Sequence, residues 1–165
     1  MADLDTIQAF EERSFNAWPT RRSLLAGGWL YRLGDGYTNR ANSINAIAQR
    51  PSFEGVLQFA EALYGENRLP PVFRLSPLAP PQADAALEHA GYTAYSPTVV
   101  MTAPIATVAA APDISIETHP SEEWLAGFAR LTGLSEGNAA AHGFIVGAIL
   151  QQAAFATVRH QGKEV

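Results

Sequence analysis

The stretch Thr102–Pro112 (TAPIATVAAAP) constrains this chain more than any other feature, because it carries no charge, is bounded by prolines, and hydrophobic patterning starts afresh after it. Such a segment reads as a linker, so no single sheet or helix is expected to run through it. It places a first unit at residues 1–103, a linker at 104–112 and a second unit at 113–165. With 165 residues in all, the chain is one domain or two small, tightly joined halves. Hydrophobic residues make up 47% of the chain, enough for packed cores, which excludes disorder over most of it.

Charge and residue usage remove several function classes. Eleven basic residues face sixteen acidic ones, a net charge of −5, and the lone Lys and scattered Arg offer no cationic footprint for nucleic acid. Cysteine is absent, which excludes disulfides, a thiolate nucleophile and Cys-containing zinc sites. Met1–Asp5 shows no basic and apolar leader pattern, and the apolar run Ala139–Ala156 is interrupted by His142, Gln151 and Gln152. The expectation is a soluble, cytoplasmic protein with no membrane or nucleic-acid partner.

Periodicity predicts the elements. A helix begins near Asp5 with Ile7, Phe10, Ala17 and Trp18 on one stripe, and Pro19 stops it. Gly28–Leu33 reads as a strand with Trp29, Tyr31 and Leu33 on one face; Gly34-Asp35-Gly36 turns the chain, and Arg40–Ile47 reads as the returning strand. Ser52 is the expected cap of a helix whose stripe is Phe53, Val56, Leu57, Ala60, Leu63 and Tyr64. A short strand, Val72–Leu75, precedes a helix with Ala83, Ala86, Leu87 and Ala90 facing inward and Gly91 beyond its end. Tyr92–Thr102 is strand-like, with Pro97 marking an edge or bulge.

In the second unit Ile114–Thr118 alternates like a strand, and Pro120 with Glu122-Glu123 opens a helix that Gly133 closes. A further helix from about Asn138 puts Ala141, Phe144, Ile145, Ala148 and Ile149 on one face. Phe155–Arg159 is a strand, Gln161-Gly162 a hairpin turn, and Lys163-Glu164-Val165 the start of a returning strand. That pattern makes the chain the expected front portion of a longer protein, with an open sheet edge suited to a homodimer.

Most apparent motifs reduce to packing. Gly133-Leu134-Ser135-Glu136-Gly137 satisfies G-x-S-x-G, but a helix rather than a strand precedes it, so Ser135 is not an exposed elbow nucleophile. Gly34-Asp35-Gly36 lacks the following helix that a pyrophosphate loop needs. His89, His119, His142 and His160 lie far apart without ligand spacing, so no metal site is expected, and His119 beside a helix start reads as a local polar contact. The adjacent pairs Glu11-Glu12 and Glu122-Glu123 point about 100° apart on a helix and read as solvated charges rather than an acid/base dyad.

One stretch is unusual: Trp18-Pro19, Gly28–Arg32 and Thr38–Ser43 crowd two Trp, two Arg and two Asn into one hairpin. Arg32 and Arg40 beside Asn42 suit an anionic or carboxylate group, since Arg offers a forked set of donors. The same residues equally suit a structural network pinning the hairpin to its helices. Trp29, Arg32, Arg40 and Asn42 are therefore candidate substrate-binding residues or interface supports. No catalytic residue is identifiable.

The run from Ala17 to Ile47 (A-W-P…G-G-W-L-Y-R-L-G-D-G-Y-T-N-R-A-N-S-I-N-A-I) resembles the N-terminal half of a group of bacterial GNAT (GCN5-related) N-acetyltransferases. Glu61–Gly65, Pro70–Leu75, Ala90–Tyr92 and Thr98–Thr102 follow in the matching order, and residues 113–165 resemble the opening β-α-α-β of a second, catalytic module. The resemblance implies an α/β (α+β) fold with a mixed, largely antiparallel sheet flanked by helices, in tandem and with the second module incomplete. It implies acetyl transfer from acetyl-CoA to an amine of a small acceptor, or alternatively a non-catalytic binding module on the same fold. The R/Q-x-x-G-x-G/A loop that holds the acetyl-CoA pyrophosphate in that family occurs nowhere in residues 1–165. No acetyl-CoA contact is therefore assigned, and this chain alone is expected to be inactive.

Overall fold

A computed structural model of the chain describes residues 3–104, 113–160 and 163–164. The first helix, α1 (Leu4–Ala17), is capped by Asp3, whose carboxylate accepts from the Thr6 N–H at 2.8 Å, and the chain leaves helical geometry at Trp18 ahead of Pro19. Its inward face runs Leu4, Ile7, Glu11 rather than through Phe10, which is exposed. Glu11 is thus buried, not solvated as the adjacent-carboxylate reading had it. Its two oxygens take a forked pair of hydrogen bonds from Arg74, the partner that makes burial of the charge tolerable.

Strand β1 (Arg22–Ala26) has no counterpart in the expected pattern. It pairs antiparallel with β2 (Trp29–Leu33), with Ala26 opposite Trp29 across the two-residue turn Gly27-Gly28. Both glycines have positive φ, +58° and +83°, as a tight hairpin of this length requires. The β2 pattern is as anticipated: Trp29, Tyr31 and Leu33 are buried on one face.

The returning strand β3 (Ile44–Ala46) is much shorter than Arg40–Ile47, because the chain before it coils into a 3-10 turn, Asn39–Ala41, capped by Thr38. Arg40 and Asn42 consequently do not share a strand face. Arg40 is exposed on the turn, whereas Asn42 is buried beside it. Beyond β3, α2 (Val56–Glu66) crosses over to β4 (Phe73–Arg74), which pairs parallel to β3, giving the order β1-β2-β3-β4. Gly55 in the left-handed region, not Ser52, precedes α2, and Val56, Ala60 and Tyr64 form its buried stripe. These side chains close over Trp29, Tyr31, Ile44 and Leu78 as the core. Helix α3 (Gln82–His89) buries Ala83 and Leu87, and Gly91 follows at φ +88°.

No strand forms over 92–104. Ser96 adopts φ +53° immediately before Pro97, which removes a ladder donor, and Val99, Val100 and Met101 are left exposed. The linker residues 105–112 and the expected turn Gln161-Gly162 lie outside the described residues.

Residues 113–164 build a second sheet in the expected order: β5 (Ile114–Glu117), α4 (Glu122–Thr132), α5 (Glu136–Gly147), β6 (Phe155–His160) and β7 (Lys163–Glu164), with sheet order β5-β6-β7, all antiparallel. Ser121 and Ser135 cap the two helices through their hydroxyls, and Gly133 ends α4 at φ +66°. Of the expected α5 face, Ile145 is buried, Ala141, Ala148 and Ile149 are half-buried and Phe144 is exposed, while His142 and Val146 are buried beside Ile145. The molecule is therefore a mixed α/β fold whose largely antiparallel sheets are flanked by helices. Among the described residues, no helix is long and apolar enough to cross a membrane.

Candidate functional site

The connection between β2 and β3 is shaped by side chains rather than by a strand ladder. Asn42 accepts from the N–H groups of Gly34 and Gly36 at 2.7 and 3.0 Å and donates to the Thr38 carbonyl at 2.8 Å. Thr38 Oγ1 in turn accepts from Trp18 Nε1 at 3.1 Å. Arg32, only 2% exposed, donates to the Arg40 carbonyl at 2.6 Å and to the Trp18 carbonyl. Burial, with repulsion from Arg74 and Arg40, lowers the Arg32 guanidinium to about 10, still protonated at neutral pH.

The structure therefore gathers Arg32, Arg40 and Asn42 around residues 34–43 and leaves Trp29 apart. Trp29 points to the other face of β2, is fully buried, and donates its Nε1–H to the Ser52 carbonyl at 2.8 Å. Arg40 places its guanidinium 5.2 Å from the Trp18 ring, and Arg32 sits 5.3 Å from the Phe15 ring.

What this network presents is a pair of aromatic rings, Trp18 and Tyr37, facing the second unit. Against them lies His142 of α5, with ring centroids 5.7 Å from Trp18 and 6.0 Å from Tyr37. On its other side His142 stacks parallel on Phe128 at 4.1 Å and near Trp124 at 6.1 Å. Its Nδ1 is 3.3 Å from the Tyr37 hydroxyl, and its Nε2 is buried with no hydrogen-bond partner among the described residues. Burial lowers the His142 pKa and raises that of Tyr37, so both are neutral at pH 7. Alongside, Arg21 lies 4.1 Å over the Phe144 ring and pairs with Asp35 at 2.7 Å.

A neutral imidazole with one nitrogen on a phenol and the other unengaged is a proton-handling arrangement in an aromatic setting. Sequence reasoning passed over His142 because it sought ligand spacing. The available signal was a single polar residue at i, i+3, i+4 spacing with Ile145 and Val146 inside an apolar helix.

The remaining titratable motifs stay local. Ser135 caps α5 by accepting from the Asn138 N–H at 3.4 Å, as a helix-starting serine does, and His119 is exposed beside the Thr118 hydroxyl at 3.0 Å. A cleft of about 280 Å³ between the β5–α4 and α5–β6 connections has His119 as the one titratable residue of its lining. Among the described residues no group of three or more His, Asp or Glu side chains converges as a metal site.

Comparison with known proteins places this geometry in context. Residues 5–160 match the family model described as "Probable histone acetyltransferase Rv0428c C-terminal". A curated relative, the "Uncharacterized N-acetyltransferase YobR" of Bacillus subtilis (strain 168), is 30% identical over 138 residues, covering 80% of this chain and 56% of the relative. The chain thus spans a little over half the length of that relative. No solved structure matches it.

Proposed function

Because this chain belongs to the family of that probable histone acetyltransferase C-terminal region, a GNAT-type acetyltransferase family, we propose that it is part of an N-acetyltransferase using acetyl-CoA. The match over residues 5–160 is the observation that carries this reading. The acceptor in this proposal is the amine of a small molecule. Its lone pair attacks the acetyl carbonyl carbon, the carbon–sulfur bond breaks, and the proton lost by nitrogen ends on the departing thiol or in solvent.

The finer proposal concerns what these residues contribute. The chain carries no R/Q-x-x-G-x-G/A loop and spans 56% of its relative, which supports a role on the acceptor side of a longer enzyme. In that role the loop 34–43 and α5 wall the acceptor pocket, with Arg32 and Asn42 as positioning residues that hold Trp18 and Tyr37 against His142. The linker at 104–112 and the tandem arrangement belong to the same proposal.

The test is thiol release from acetyl-CoA by the full-length protein against a panel of small primary amines, with the 165-residue chain assayed beside it. Amine-dependent release by the full-length protein and none by the chain is the expected result. Tight, saturable binding of acetyl-CoA at one per 165-residue chain would sink the division of labour. Absence of release with every amine would favour the alternative of a non-catalytic interaction module. One observation leans that way: Ile114, Ile116 and Val158 lie exposed, on neighbouring positions of β5 and β6. A homodimer through an open sheet edge remains the partner proposal for that alternative.

A further inference from the structure

Two guanidinium groups close on Trp18, and among the described residues neither has an acid partner. Arg32 grips the Trp18 carbonyl from below, and Arg40 covers the indole ring. A cation buried as deeply as Arg32 is ordinarily met by a carboxylate, because desolvation is costly unless opposite charge repays it. Elsewhere ion pairs do form, as between Arg21 and Asp35, Arg74 and Glu11, and Arg159 and Glu123. Among the described residues neither Arg32 nor Arg40 has a carboxylate within ion-pair distance. Acids were not scarce: the chain has sixteen against eleven bases.

The arrangement is electrostatically unfinished. Arg32 is pushed toward its neutral form by burial and by the charges of Arg74 and Arg40. Its two observed side-chain hydrogen bonds go to neutral carbonyls, which accept protons but supply no countercharge. Arg40 is exposed, so an anion can reach it from solvent, and its guanidinium lies over the Trp18 ring at 5.2 Å. The indole below it is itself fixed by Thr38, and Thr38 by Asn42. Preorganised donors with surplus positive charge behind them are what recognition of a small oxyanion requires.

We propose that Arg40, seated on Trp18 and backed by the buried charge of Arg32, forms a subsite for an oxyanion, a carboxylate or phosphate group carried by the acceptor amine. The word "acceptor" rests on the acetyltransferase reading; the anion site itself does not. The indole under the subsite also faces Tyr37 and His142, with ring centroids at 6.5 and 5.7 Å. The substrate class is then an amine that also bears a carboxylate or a phosphate.

Titration of the 15N-labelled 165-residue chain with sodium acetate, and separately with inorganic phosphate, at ionic strength fixed with chloride tests this. The signals to follow are the Arg40 Nε–H and the Trp18 Nε1–H. Both are expected to shift saturably with at least one anion; saturation by acetate identifies the carboxylate, by phosphate alone the phosphate. Arg40→Gln, at an exposed position, is expected to weaken binding about tenfold or more, and Arg40→Lys less, because it keeps the charge and loses the fork. A linear drift no larger than that with chloride, or unchanged saturation in Arg40→Gln, overturns the subsite. No turnover is involved, so failure of acetyl transfer in the full-length protein and failure of anion binding here are separate results.

Discussion

Glu11 and Arg74 tie α1 to β4 through a forked charge pair in which the carboxylate is the more deeply buried member. Removing the charge of Glu11 while keeping its shape leaves Arg74 facing a neutral amide in a low-dielectric setting. Glu11→Gln is expected to lower stability by about 2–3 kcal/mol, below the 3–5 of a fully buried pair because Arg74 stays partly exposed. Urea unfolding followed by circular dichroism reads this as a lower midpoint with an unchanged slope. At the same scale Tyr64 donates its hydroxyl proton to the Arg32 carbonyl at 2.7 Å and accepts from the Arg32 N–H, while burial pushes its ionisation up to about 12. Sequence alone marked Tyr64 as core and Glu11 as surface. The first followed from spacing; the second failed because the partner that permits burial lies sixty-three residues away.

Among the elements, the β1–β2 hairpin separates two glycines that composition treats alike. At Gly28 a Cβ would stand 2.8 Å from Pro51 Cβ and 3.0 Å from Ala48 Cβ, with φ at +83°. At Gly27, φ is +58° and a Cβ would meet open space. Gly28→Ala is therefore expected to cost about 2 kcal/mol or more, combining left-handed strain and a contact with ring carbon, whereas Gly27→Asn should cost under about 1 kcal/mol. Thermal melts of the two variants check the contrast; equal losses would mean the turn is not built this way. The acidic opening of α4, the Gly133 stop and the β2 alternation were legible because each is local chemistry, whereas the caps Asp3, Ser121 and Ser135 went unread and the one expected cap, Ser52, gives way to Gly55. Strand β1 was not: Arg-Ser-Leu-Leu-Ala is fully exposed, shows no alternation, and is a strand only because β2 pairs with it. The extent of β3 was misread for the complementary reason, since Asn42 and Thr38 win the preceding backbone for a turn.

For the whole molecule, His142 of α5 packs against Trp18 and Tyr37 beside the first sheet, and that makes stability depend on pH. Burial lowers the His142 pKa below its ordinary 6.5, so the unfolded chain takes up the proton first. The sign follows: stability is full above about pH 6.5 and falls as pH drops through the folded-state value. The charged groups over the neighbouring rings are Arg40 at Trp18 and Arg21 at Phe144 with its partner Asp35, and the lowering of His142 itself comes from burial. Melting temperatures between pH 7.5 and 5 should decline in the native chain, and the decline should flatten in His142→Phe, which keeps a ring between Phe128 and Trp18. An equal slope in both would place the acid sensitivity elsewhere. The family was legible from residues 17–47, but the docking of the two units was not, because His142 reads as one more helix residue until Tyr37 and Trp18 are brought against it.

Trp18 also makes the molecule its own optical gauge. Its indole has an imidazole, a phenol and a guanidinium 5.7, 6.5 and 5.2 Å from its ring centre, and its Nε1–H is held by a threonine hydroxyl. Ring stacking with a neutral imidazole and with a protonated one quench an excited indole to different degrees, and an arginine moving off the ring changes the field it emits into. Of the three tryptophans, Trp29 is sealed in the core and Trp124 stacks within the second unit, so Trp18 alone faces across the seam. Emission resolved for that one residue therefore carries, in a single colour and lifetime, whether the seam is shut, which proton His142 holds and where Arg40 rests.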